Sequence, residues 1–150
     1  MRKIPKHSRL RPKNKTKVRD YSPHHPNPCR GCSECCEYVA LEIDTPTSME
    51  DFDNIFWFLL HEHTWVYINE DGEWYLQFDT KCTKLKRKRC TYYEQRPQMC
   101  RDHHPAECVT HGKEPTEKIM LKNEEDLWEY LHYQRPVLYK KMVKKYGLDK

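Results

Sequence analysis

The sequence predicts an α+β fold: a small cysteine-cluster domain with a helix-hairpin unit between two cysteine-rich loops, followed by C-terminal helices. Three observations carry this expectation. Strand-like alternation and helix-like periodicity both occur within residues 37–78, four cysteines crowd into "CRGCSECC" at residues 29–36, and four more are spread over residues 82–108. The chain of 150 residues is 33% charged and 37% hydrophobic, which leaves a thin apolar core for its length. Something besides apolar burial must help to hold it together.

The amino-terminal arm comes first. Residues 1–20 carry nine Lys/Arg and one acid, whereas the rest of the chain has 18 basic and 22 acidic residues. The basic character therefore belongs to the arm. Lacking an apolar period, containing Pro5 and Pro12, and running into "YSPHHPNP", residues 1–28 read as a disordered basic arm. Such a segment can contact nucleic acid by counterion release, but residues 1–20 have no interleaved aromatics and the body is acidic. A solubilising tail is the favoured reading. The basic start has no apolar signal core and no stretch is long enough to cross a bilayer, which predicts a cytoplasmic protein with no membrane partner.

Residues 29–112 are the expected metal-binding domain. "EYVALEI" alternates, with Val39, Leu41 and Ile43 on one side, and predicts a short strand. In "TPTSMEDFDNIFWFLLHE", Ser48 can cap a helix, Glu50 and Asp51 suit its positive end, and Phe52, Ile55, Phe56, Leu59 and Leu60 form an apolar face. "TWVYINEDGEWYLQF" predicts a hairpin turning at Asp71-Gly72, with Trp65 and Trp74 packed on the helix. Residues 113–150 are the expected helical extension packed on the domain. There "NEEDLWEYLHYQ" starts near Asn123 with Leu127, Trp128 and Leu131 on one face, Pro136 restarts the helix, and Gly147 ends it.

The eight cysteines are the chemical signal. Cytoplasmic thiols stay reduced, so this number points to metal or redox chemistry before a disulfide framework. Cys29, Cys32, Cys35 and Cys36, with Cys82, Cys90, Cys100 and Cys108, lie in two polar stretches that offer little core in which to bury them. All-thiolate ligation selects zinc, Cu(I) or an iron–sulfur cluster. Separate C-x2-C pairs would favour zinc, and only the first stretch has that spacing; its C-x2-C-x2-C run could instead hold three corners of a cubane. Both metals stay open. His103 and His104 are weaker auxiliary ligands, and His61 suits a helix end without metal. Arg96 and Arg101 can offset the negative charge of a thiolate site from its second layer, and "KLKRKR" between Cys82 and Cys90 reads as a solvated loop.

These two cysteine stretches resemble the YkgJ-like CxxCxxCC cysteine-cluster family, described as zinc- or iron-chelating. Cys29, Cys32, Cys35 and Cys36 match its first block; Cys82, Leu85, Cys90, Tyr93, Arg96-Pro97 and Cys100-Arg101 follow the order of its second. Cys108 fits only a subgroup of it. The resemblance implies bound zinc or iron and an otherwise undefined partner. A related block occurs in flagellin lysine methylases, but this shorter chain has no glycine-rich methyl-donor motif or evident acid–base pair, so that activity is not carried over.

Overall fold

The computed structural model describes residues 32–103 and 117–148. In chain order they form a 3₁₀ turn (Glu34–Cys36), β1 (Val39–Ile43), α1 (Met49–Leu59), β2 (Thr64–Asn69), β3 (Trp74–Phe78), β4 (Leu85–Lys86), β5 (Arg89–Cys90), α2 (Gln98–Asp102), β6 (Glu117–Leu121), α3 (Glu124–Gln134) and α4 (Pro136–Tyr146). Two compact units result. One contains described residues 32–38 and 81–103, the other 39–80 and 117–148. The predicted α+β class is observed. The predicted basic arm lies outside the described residues.

The larger unit is a four-stranded antiparallel sheet in the order β1-β3-β2-β6, covered by α1, α3 and α4. Helix α1 starts where the sequence places it, because Ser48 and Asp51 satisfy backbone donors reciprocally. Ser48 Oγ accepts from the Asp51 N–H at 3.1 Å, and the Asp51 carboxylate accepts from the Ser48 and Thr47 N–H groups at 2.8 and 2.9 Å. Those bonds, the Ser48 N–H first, hold the Asp51 carboxyl below its ordinary 3.8. At the other end His61 Nδ1 lies 2.8 Å from the Trp57 carbonyl oxygen, a helix-end contact.

The β2–β3 hairpin turns through Gly72, whose φ of 87° is a conformation that side chains resist. Its N–H donates to Asn69 O at 3.1 Å. Buried Asn69 is satisfied in turn by Glu73, donating from Nδ2 to the carboxylate and accepting the Glu73 N–H.

Among the described residues, eleven buried side chains make the core, including Phe52, Val66, Trp74, Leu121, Leu127, Leu131 and Met142. Trp74 lies edge-on to Phe52 and Tyr130, at centroid distances of 6.2 and 5.5 Å. Trp65 does not share that position. Strand alternation sends Val66 and Ile68 into the core and Trp65 to the opposite face, where Lys122 Nζ lies 4.5 Å from its ring centroid. Val39 and Leu41 have the predicted alternation, yet they are 47% and 52% exposed because β1 is an edge strand that the helices do not cover fully. Leu60, at 57% exposed, lies beyond the last turn of α1 and off its buried face.

The C-terminal segment is helical from Glu124, but Glu117–Leu121 is an unpredicted strand paired with β2. Asn123 caps α3 by accepting the Asp126 N–H at 2.9 Å, and Pro136 opens α4. Gly147 closes α4 with φ 65°. Asp53 of α1 accepts from Lys145 Nζ at 2.8 Å and from the Tyr146 hydroxyl, fastening α4 to α1. Among the described residues no helix is long and apolar enough to cross a membrane.

Candidate metal centre

The smaller unit is organised by backbone bonds around its cysteines. The first block winds into a tight turn: the Cys36 N–H donates to Ser33 O and the Glu37 N–H to Glu34 O, both at 2.9 Å. Ser33 is buried and its hydroxyl donates to the Glu37 carboxylate at 2.8 Å. This short closure presents Cys32, Cys35 and Cys36 within one turn.

The second block meets the first through the main chain. The Cys82 N–H donates to the Cys36 carbonyl oxygen at 2.7 Å. The Leu85 N–H then donates to Cys82 O at 3.1 Å, starting the β4–β5 hairpin in which Leu85 faces Cys90 and Lys86 faces Arg89. Leu85 is 4% exposed and anchors the hairpin. Sequence periodicity could not reveal two strands of only two residues each, so the expected loop is a hairpin.

Cys100 sits in the single-turn helix α2, which follows Arg96-Pro97. Both arginines are engaged by carbonyl oxygens of this loop. Arg96 donates to Tyr93 O at 2.9 Å and Cys100 O at 3.3 Å, and its guanidinium carbon lies 3.7 Å from the Tyr93 ring centroid. Arg101 donates to Arg96 O at 2.8 Å and to Glu94 O. The guanidinium groups thus knit residues 93–101 together and fix the backbone that carries Cys100.

Cys35, Cys82 and Cys100 are exposed, and Cys32, Cys36 and Cys90 are half-buried. No disulfide joins any two of these six. Cys29, Cys108 and His104 lie outside the described residues, and His103 is an exposed residue at the end of α2. Among the described residues, no three His, Cys, Asp or Glu side chains converge on a point able to hold a metal ion. The structure brings the cysteine blocks together at Cys36 and Cys82. As a donor set, six thiols that no disulfide joins to one another suit a soft or borderline metal.

Comparison with known proteins agrees with this chemistry. No curated protein and no solved structure matches the chain. A family profile, CxxCxxCC, described as "Putative zinc- or iron-chelating domain", matches residues 28–129, more than half of the chain. The match spans both cysteine stretches and the αββ segment between them, and the chain therefore belongs to the CxxCxxCC family.

Proposed function

We propose that the chain is a metal-binding module in which thiolates from both cysteine blocks share zinc or iron, and that the metal ties the smaller unit together. Cys29, Cys32, Cys35 and Cys36 supply one side of the ligand set and Cys82, Cys90, Cys100 and Cys108 the other. The observation that carries this reading is the Cys82 N–H to Cys36 O bond, which brings together two blocks separated by 45 residues of sequence. Arg96 and Arg101 support the site by fixing the Cys100 backbone and adding positive charge near anionic thiolates. In this form the metal is structural and contributes directly to folding free energy, and the protein acts as a binding or adaptor module.

A second reading is favoured by the C-x2-C-x2-C run, which suits an iron–sulfur cluster and hence electron transfer or redox sensing. A metal-dependent modifying enzyme is the weaker third reading, since it needs an open coordination position. Purification without oxygen or a metal-binding tag, followed by elemental analysis and a visible spectrum, separates them. Colourless protein with zinc supports the structural module; iron with acid-labile sulfide and a chromophore that bleaches on reduction supports the cluster. A metal-free, stably folded protein would contradict both.

A further inference from the structure

The loop between Cys82 and Cys90 is more ordered than a solvated charge run requires. It is a two-residue hairpin whose central residues, Arg87 and Lys88, have φ of 47° and 60°. Positive φ at both positions defines a turn that ordinarily takes Asn-Gly, and residues other than Gly, Asn and Asp are strained there. Here both positions are long cations. Lys81, Lys84, Lys86, Arg87, Lys88 and Arg89 are all exposed, with no acidic residue between Asp79 and Glu94. Among the described residues none of the six has an ion-pair partner.

An aromatic surface completes the arrangement. Tyr92 is 45% exposed just beyond the hairpin, and Lys84 Nζ lies 5.1 Å from its ring centroid. Cations alone would suit any polyanion. A flat ring beside them adds a stacking surface for a base, which an acidic peptide does not use.

We propose that the hairpin at residues 84–89, with Tyr92, is a docking element for single-stranded nucleic acid. The basic side chains contact successive phosphates and Tyr92 stacks on a base. Recognition is independent of sequence, because phosphates carry the affinity and every base has a π face. This site is separate in chemistry from the thiols, and it differs from residues 1–20, which contain no aromatic residue, by joining aromatic and basic groups.

The test is fluorescence anisotropy of a labelled oligo(U) of ~20 nucleotides, titrated with the full metal-loaded chain over a range of salt concentrations. The informative variant is Arg87→Asn with Lys88→Gly, which gives the turn its preferred residues while removing two cations. Its melting temperature should be unchanged or higher, yet its affinity should fall by about tenfold and the log–log salt slope should shrink by about 1.4, at ~0.7 for each phosphate no longer neutralised. Tyr92→Ala should weaken binding without changing the slope. Lys86→Gln with Arg89→Gln serves as an independent pair should the tip variant misfold. Unchanged oligo(U) affinity in folded variants of both pairs would overturn the proposal, as would loss of polyglutamate binding with oligo(U) binding retained, which would mark an acidic protein surface.

Discussion

The Cys82 N–H donates to the carbonyl oxygen of Cys36 at 2.7 Å, so the last cysteine of the first block and the first cysteine of the second are adjacent in space. The adjacency is made by the main chain and does not depend on where either thiol points. It gives the two blocks a common location before any metal is considered.

If both blocks serve one site, Cys36→Ser and Cys82→Ser should each lower bound metal by about one equivalent, since thiolates are essential ligands. The double variant should lose no more than the worse single variant, because neighbouring groups acting as a unit are not additive. Elemental analysis of the three proteins checks this; additive losses would point to separate sites. Cys32→Ser and Cys35→Ser should likewise each remove about one equivalent.

Arg96 reaches both Tyr93 O and Cys100 O and lies over the Tyr93 ring, a geometry that uses the planar guanidinium. Arg96→Lys keeps the charge but cannot reproduce the fork. It should release metal to a chelator about tenfold faster than wild type, within the usual range for groups that orient ligands. Full retention by the lysine variant would show that charge alone matters.

Much of the larger unit was legible because its signals are local. Ser48 with Asp51, Gly72, Asn123, Pro136 and Gly147 each fix a boundary through backbone chemistry within a few residues, and the structure uses all of them. What was not legible depended on distant partners. Strand β6 is defined by pairing with β2 some 50 residues earlier. Trp65 and Trp74 look equivalent in sequence, and only the hairpin register separates their faces. At the candidate site, cysteine spacing marked the candidate ligands, but the link between Cys36 and Cys82 is a backbone bond that no side-chain pattern encodes.

The α1 cap gives a stability prediction. Ser48→Ala removes the acceptor for the Asp51 N–H and should cost about 1 kcal/mol in denaturant unfolding. Asp51 has its folded-state pKa depressed below 3.8, so its contribution is present above that value and is lost as pH falls through the folded pKa. Asp51→Asn should therefore reduce the loss of stability on acidification below about pH 4. An acid-unfolding curve identical to wild type would contradict this.

The core offers a harsher test. Leu131 is fully buried among the residues joining α3 to the sheet layer. Leu131→Ala should cost about 2–5 kcal/mol in chemical denaturation. A cost below about 1 kcal/mol would contradict the core described for the larger unit.

Zinc or iron held by cysteine thiolates has a distinctive X-ray absorption signature at the metal edge. For the untagged protein purified without oxygen, the spectrum should show a nearest coordination shell made of sulfur; for zinc the distance should be about 2.3 Å. A shell of nitrogen and oxygen only, or protein without stoichiometric zinc or iron, would contradict thiolate ligation.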